Sequence, residues 1–532
     1  MRGYQRYHNG PQSKKAQTII GGLKSGKPLY LVCFVLTVGV VITLLNVLQL
    51  RAMQREHFEK AHAGTPEADS ELGRKGKPVY WVEANNADSG YLDHVYKVLH
   101  RIGFARGTKQ SDWDLLWHHD YPFMKDEMKP ILRELQPHQK VNHVPGSGYY
   151  TSKVNLATSN ISGIPPAFGL PTQRSEFLKF ARAHPEKLWV QKSNKHRGVR
   201  ILKLDDLDLT AQNSFIQEYI ARPLLIDERK FDIGVYTVVT SVLPLRVYVL
   251  ESEALLRFCP QPYEPFDATN VDKYVVGDDY TPTWQMPSLQ PYYEQQRYSF
   301  KESLNAYLRA NGRDPSVLWR RIRETIRQVF LAKADDMQPL IANYKHSWNF
   351  FELSRFDFVL DDDLNVYLME ANMSPNLSSA HFPQNKLLYE QVLFNLFSLV
   401  GVATRVHSSS LQPSSPDETQ MLASDRDLQV NTAACERNAS VCAQCTALHC
   451  VLCVHCHHGG QLENWRHAYS EHMNRYGMRR VIPEPISDRD LQAGANGYER
   501  TIKSIAFSLS TADIQQRWWF FGKCLQDRTW CN

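Results

Sequence analysis

The stretch from Phe356 to Pro375 constrains this chain more than any other. Phe356-Asp357-Phe358-Val359-Leu360 and Val366-Tyr367-Leu368-Met369-Glu370-Ala371-Asn372 are β-rich runs separated by Asp361-Asp362-Asp363-Leu364-Asn365, a pattern that predicts a hairpin. Successive side chains on a strand alternate faces, so Val366, Leu368, Glu370 and Asn372 are expected to share one face. A carboxylate among apolar neighbours is costly there unless positive charge offsets it. Asp357 on the partner strand adds a second carboxylate, and hard oxygens of this kind suit an octahedral Mg²⁺ that also holds phosphates. The alternative is that Asp357 and Glu370 are solvated or paired structurally.

Upstream, Leu188-Trp189-Val190-Gln191-Lys192 is an apolar strand ending in a lysine and followed by Ser193-Asn194-Lys195-His196-Arg197-Gly198-Val199. A donor-rich loop at a strand end can cover phosphates, with the lysine as a point charge. Phe215-Ile216-Gln217-Glu218-Tyr219-Ile220 then leads through Pro223-Leu224-Leu225-Ile226 to Arg229-Lys230-Phe231-Asp232-Ile233. Such a strand edge can hydrogen-bond an adenine. Taken alone, Lys230 and Asp232 read as an exposed ion pair of little energetic value.

In this order, and with Thr269-Asn270 between them, these motifs and the Phe356-Asp357 and Glu370-Ala371-Asn372 segments resemble the tubulin tyrosine ligase-like family over about residues 140 to 400. The resemblance implies an ATP-grasp core of α/β (α+β) class, in which ATP lies between two lobes and activates a carboxylate as an acyl phosphate that an amino group attacks. Most members add glutamate; the acceptor would be tubulin or another acidic-tailed protein. It further implies that Lys153 and Lys192 contact the nucleotide phosphates and that Gln217, Glu218, Tyr219 and Ile220 form the adenine hinge. Lys230 and Asp232 would meet the nucleotide and ribose beside Thr269 and Asn270. Arg257 would steady the phosphate or acceptor, and Asp357, Glu370 and Asn372 would hold Mg²⁺, with Arg257, Lys192 and Glu370 carrying the catalysis.

Two departures stand out. Where the family usually has an arginine after Phe-Asp-Ile, this chain has Gly234, and losing a preorganised charged donor can cost on the order of 10² to 10³ in rate. Lys195, His196 and Arg197 also replace the small residues common in the glycine-rich loop, which makes Arg197 a candidate to take over the lost charge. An active ligase is therefore weighed against a catalytically weakened ATP-binding scaffold.

Outside the resemblance, Leu29 to Leu50 is an uncharged, mostly apolar run of 22 residues, about the length that spans a hydrocarbon core of roughly 30 Å. Arg2, Arg6, Lys14, Lys15, Lys24 and Lys27 precede it, which predicts a single-pass type II anchor with a cytosolic N-terminus (residues 1–28). A stalk is expected over 51–77, an α/β N-terminal lobe over 78–145, the ligase core over 146–405, a linker over 406–434 and a Cys-rich module over 435–532. Helices are predicted over 91–102, over 304–331 with a break around Gly312 and Pro315, and over 387–399. Eight of the ten cysteines lie in the final module. Their spacing lacks the long separation of a zinc finger, and disulfides are favoured over zinc in an outward-facing compartment. A third reading follows, a lumenal interaction protein whose Cys-rich tail is the active part. A net charge of +5, with acidic and basic residues mixed, argues against a nucleic-acid partner.

Overall fold

The computed structural model describes residues 77–193, 199–404, 416–430 and most of 435–532. Of the first 76 residues it describes Gln49 alone, so the expected membrane-spanning run, the stalk before Lys77 and the Lys195-His196-Arg197 loop lie outside the described residues. Among the described residues no helix is long and apolar enough to cross a membrane.

Three sheets, two of them built within single lobes, organise the rest. β1 (Val79–Glu83), β2 (Ala105–Arg106), β3 (Leu115–His118) and β4 (Lys140–Val141) run parallel in the order β2-β1-β3-β4. Parallel neighbours require a crossover. Helix Asp93–Arg101 supplies one, burying Val95, Val98 and Leu99 at helical spacing as the 91–102 pattern predicts. The second sheet is antiparallel: β5 (Ala167–Leu170), β6 (Trp189–Ser193), β7 (Arg200–Leu202) and β8 (Ser214–Glu218), in the order β5-β8-β6-β7. Helix Arg174–Ala183 seats Phe177 and Ala181 against its Leu170, Trp189 and Ile216.

The third sheet has eight strands: β9 (Leu225–Ile226), β10 (Arg229–Val242), β11 (Leu245–Leu250), β12 (Leu255–Phe258), β13 (Thr281–Pro282), β14 (Glu352–Leu360), β15 (Val366–Met373) and β16 (Met478–Ile482). β10 is its axis. Every residue of this strand after Arg229 is buried, the mark of a strand covered on both faces. One edge of β10 pairs first with β12 (Phe231–Gly234) and then with β11 (Thr237–Val242), while β14 follows the other edge from Ile233 to Val239. Lys230, Asp232 and Gly234 are thereby fixed in the middle of the molecule. The expected helical break is present: helix Phe300–Ala310 ends before Gly312, and helix Pro315–Ile341 starts on a proline after the Asp314 cap, whose carboxylate accepts from the Ser316 N–H at 2.9 Å. Helix Lys386–Leu399 matches the last predicted helix.

The C-terminal residues do not stand apart from this core. β16 pairs antiparallel with β11, and Met478, Val481 and Ile482 join the main hydrophobic core. The junction is polar and buried. Glu471 accepts from Arg246 Nε and Nη2 at 2.8 and 2.9 Å, from the Thr240 hydroxyl at 2.9 Å and from the Tyr248 hydroxyl at 3.0 Å. With four hydrogen bonds on this carboxylate, three to Oε2 and one to Oε1, the ion pair is compensated, and removing either partner would leave an uncompensated buried charge, at a cost of about 3–5 kcal/mol.

All eight tail cysteines are paired: Cys435–Cys453, Cys442–Cys450, Cys445–Cys456 and Cys524–Cys531. The disulfide expectation holds. Cys445, His455 and Cys456 cluster as metal ligands do, but the two sulfurs are bonded to each other and offer no thiolate. Ten cysteines less these eight leave Cys33 and the buried Cys259. Alkylation of the denatured, unreduced protein followed by mass spectrometry is therefore expected to label at most those two positions. Labelling of the tail cysteines before reduction would refute the pairing.

Candidate active site

Four strands of the central sheet, β10, β12, β14 and β15, bring charged side chains together. On β10, Asp232 faces Arg257 of β12 in direct register, and Gly234 faces Asp357 of β14. Arg257 grips Asp232 with two parallel bonds, Nε to Oδ1 at 2.9 Å and Nη2 to Oδ2 at 2.7 Å, and Nη2 also donates to Asp357 Oδ2 at 2.9 Å. Burial, together with the neighbouring Asp357 carboxylate, pushes the Asp232 carboxyl above its ordinary range against the pull of Arg257.

The hairpin forms as expected, but its faces do not. Asp357 pairs with Glu370 and Phe358 pairs with Leu368, so Met369 is an extra residue on β15. One inserted residue shifts a period-2 pattern by one, and everything beyond it changes face. Val366 and Leu368 therefore point into the core with Ala371, whereas Glu370 and Asn372 lie on the opposite face beside Asp357 and Arg355. The expectation that Val366, Leu368, Glu370 and Asn372 share one face is corrected. The bulge lets the strand bury its apolar half and set Glu370 and Asn372 beside Asp357.

Asn372, Asp357 and Glu370 do come together. The Asn372 amide donates to Asp357 Oδ2 at 2.9 Å and to Glu370 Oε1 at 3.0 Å. Glu370 also meets Lys153 Nζ at 2.8 Å, at the start of helix Lys153–Ala157. Burial opposes its charge, but Lys153 and the Asn372 amide hold its carboxyl down at about 2.

Sequence reasoning missed Arg355. Two residues before Asp357 on β14, it lies on the same face, and it chelates Asp357 through Nε to Oδ1 at 2.7 Å and Nη2 to Oδ2 at 2.8 Å. Gly234 makes this possible. A Cβ at Gly234 would sit 2.8 Å from Arg355 Cδ, so the side chain crosses the space that only glycine leaves open. Period-2 spacing from Asp357 was the available signal.

Lys192 near the end of β6 donates to Gln217 Oε1 at 2.9 Å, so a side chain of the neighbouring strand β8 holds the lysine. Lys230 donates to the Tyr274 carbonyl at 3.1 Å, with its ammonium 4.7 Å from the centre of the Tyr219 ring. It does not pair with Asp232, and both residues are buried, unlike the exposed pair their spacing alone suggests. Glu218 is paired with Lys187, and Ile220 is half-buried just past the end of β8. Thr269 and Asn270 do not reach the charged cluster. Thr269 is exposed and bonded to Asp267 at 2.6 Å, and Asn270 caps a short turn by accepting from the Asp272 N–H at 3.2 Å.

Burial pulls the Lys192 ammonium down to about 8, with Glu370 opposing the shift and Lys230 and Lys153 adding to it. A depressed lysine is charged below that value and loses its charge as pH rises through it. Affinity for a phosphate-bearing ligand is expected to fall above about pH 8, at up to tenfold per unit of pH, in an isothermal titration series. Constant affinity up to pH 10 would show that Lys192 does not face the phosphates.

Comparison with known proteins agrees with this geometry. Residues 132–409 match the tubulin-tyrosine ligase family. The probable tubulin polyglutamylase ttll-15 of Caenorhabditis elegans is 44% identical over 455 residues, covering 84% of this chain and 85% of that protein. The human tubulin monoglutamylase TTLL4 is 25% identical, and the match covers 58% of this chain but 26% of that longer protein. The mouse tubulin polyglutamylase TTLL6 is 27% identical, with 62% of this chain and 41% of that protein covered. On the family match and the extent of the first of these similarities, the chain belongs to the tubulin-tyrosine ligase family.

Proposed function

We propose that the chain is an ATP-dependent ligase of ATP-grasp architecture that joins glutamate to a protein carboxylate through an acyl phosphate. Tubulin, which the names of its relatives carry, or another acidic-tailed protein is the acceptor. The observation that carries this reading is the cluster that gathers Lys153, and Lys192 of β6, with the charged residues of the central sheet. Lys153, Lys192, Lys230, Arg257 and Arg355 supply five cations against the three carboxylates of Asp232, Asp357 and Glu370. An excess of buried positive charge suits a polyphosphate that gains negative charge during transfer.

The donor set also fits a magnesium ion. Asp357 and Glu370 offer hard oxygens close together, since the one Asn372 amide nitrogen bonds both, and an ion bound there would take over the charge-offsetting part of that amide, with Asn372 beside it. Bound there, the ion would neutralise charge on the phosphates. The chain's own groups do the remainder. Lys192 and Lys153 lie alongside the phosphates, and Arg257 and Arg355 fix Asp357 while presenting guanidinium hydrogens to the cleft. The acceptor carboxylate oxygen attacks the terminal phosphorus and ADP leaves. The amino nitrogen of glutamate then attacks the acyl carbon, loses a proton and expels phosphate, which keeps the acceptor's oxygen.

The scaffold alternative drew its force from Gly234. Arg355 speaks for the ligase reading, because its side chain crosses the space left open at Gly234 from the adjacent strand. For the compartment, the four disulfides favour an oxidising lumen and a core on the far side of a Leu29–Leu50 anchor, and because tubulin is cytosolic, that topology favours another acidic-tailed protein over tubulin as the acceptor. A glycosidase-sensitive mass shift of the full-length protein tests that topology.

Two outcomes are expected. With an acceptor carboxylate labelled with ¹⁸O, one labelled oxygen should appear in the released phosphate, and none should appear with Glu370→Gln; unlabelled phosphate from an active enzyme would exclude the acyl phosphate. Arg355→Gly should lower kcat by about 10² to 10³, the range for losing one preorganised donor. Gly234→Arg alone should also fail, through collision with Arg355, whereas the double exchange Gly234→Arg/Arg355→Gly should recover most of the lost rate. A double variant no better than Arg355→Gly would show that the guanidinium has no part in turnover.

A further inference from the structure

A cavity of about 720 Å³ opens between helix Pro315–Ile341 and β16, away from the charged cluster. Arg320, Arg321, Arg323 and Arg327 line it from the helix, and Arg479 and Arg480 from the strand. Two of the six are matched by carboxylates. Arg323 Nη1 donates to both oxygens of Glu251 at 3.1 Å, and Arg327 is shared between Glu324 and Glu484, the latter also taking Arg517 Nε at 3.1 Å.

The other four have no carboxylate partner among the described residues. Arg321 donates to the Leu364 carbonyl at 2.6 Å. Arg480 is 1% exposed and donates to the Pro483 and Trp530 carbonyls, each at 3.0 Å, while its Nη1 has no partner. Arg479 Nε is likewise buried without a partner, and its Nη2 reaches Asn532 Oδ1 only at 3.5 Å. Arg320 is exposed and unpaired among the described residues. The crowding is felt within the group: burial, and after it Arg479 and Arg320, push the Arg323 guanidinium below its ordinary value, with Glu251 opposing them.

Cations taken out of water without a counter-charge are costly, and an anion entering the cavity would offset that cost. Spacing identifies the kind of anion. Arg320, Arg323 and Arg327 stand at i, i+3 and i+7 on one helix face and span roughly 10 Å at 1.5 Å per residue. That is about three residues of extended chain, more than a single phosphate fills. Asn365, Val366 and Tyr367 form part of the wall, and Glu370 lies about 10 Å further along the same strand at its usual rise.

We propose that this arginine-lined cavity binds a carboxylate-rich peptide segment, the acidic tail of the protein acceptor, a few residues from the carboxylate that reacts. The proposal rests on the ligase reading above. Its decisive residues Arg479 and Arg480 lie beyond the stretch that matches the family.

Fluorescence anisotropy of a labelled oligoglutamate peptide on the full chain tests it, with an oligoglutamine peptide as control. Wild type should bind oligoglutamate with an affinity that falls with added salt. Arg320→Glu and Arg479→Gln, neither of which touches the charged cluster, should each weaken binding by about tenfold, the equivalent of one charge-assisted hydrogen bond, while MgATP still raises the melting temperature. Arg320→Lys should retain most of the affinity. Undiminished binding by Arg320→Glu and by Arg479→Gln, or tighter binding of an oligonucleotide or of inorganic phosphate than of the peptide, would overturn the proposal. Absence of MgATP stabilisation in the wild type would strike the ligase reading instead and leave the peptide result standing.

Discussion

Asp357 is the point on which the centre of this molecule turns. Its carboxylate is 2% exposed and receives four hydrogen bonds, two from Arg355, one from Arg257 and one from Asn372. An unpaired carboxylate at this depth would neutralise or unfold its surroundings, so the neighbouring sequence is bound to serve it. Arg257 must lie on β12 opposite Asp232, Gly234 must lack a side chain so that Arg355 can cross, and β15 must bulge at Met369 so that Asn372 faces the same way. The same groups make the cleft fit for polyphosphate, because once each carboxylate is matched the lysines leave positive charge over.

Much of this was legible in the chain. The strand runs and the break at Gly312 and Pro315 follow from local pattern, since each depends on residues a few positions apart, whereas the grouping of Lys153, Lys192, Glu370, Asp357 and Asn372 was implied by the family resemblance. What escaped depends on partners far away in sequence. Nothing within Val366 to Asn372 marks Met369 as an extra residue; the bulge exists because Asp357 must meet Glu370 while Phe358 meets Leu368. Arg355 carried a local signal in its spacing from Asp357, yet its role becomes visible only against the gap at Gly234 on another strand. Thr269 and Asn270 show the converse, a motif whose side chains are spent on their own turns.

The C-terminal region gains meaning from the same long-range logic. Its cysteines could be assigned to disulfides from composition and spacing, but not paired, because six cysteines in one cluster allow many connectivities. Its β16 strand gave no warning that it would extend the central sheet beside β11, nor that Glu471 would complete a buried pair with Arg246. A tail so attached cannot be an appendage to an otherwise finished enzyme. It seals one edge of the sheet that carries Asp232 and Gly234, and it brings two arginines to the helix Pro315–Ile341 face.

The central claim is that this arrangement transfers an amino acid, and glutamate in particular. Radiolabelled glutamate, tyrosine and glycine offered separately to the purified chain with ATP, Mg²⁺ and tubulin test it most directly. The account predicts ATP-dependent incorporation of glutamate into the acceptor. Incorporation of tyrosine or glycine alone would contradict the choice of amino acid, and incorporation of none of the three while ATP still binds would contradict the claim that the cluster is a working ligase site.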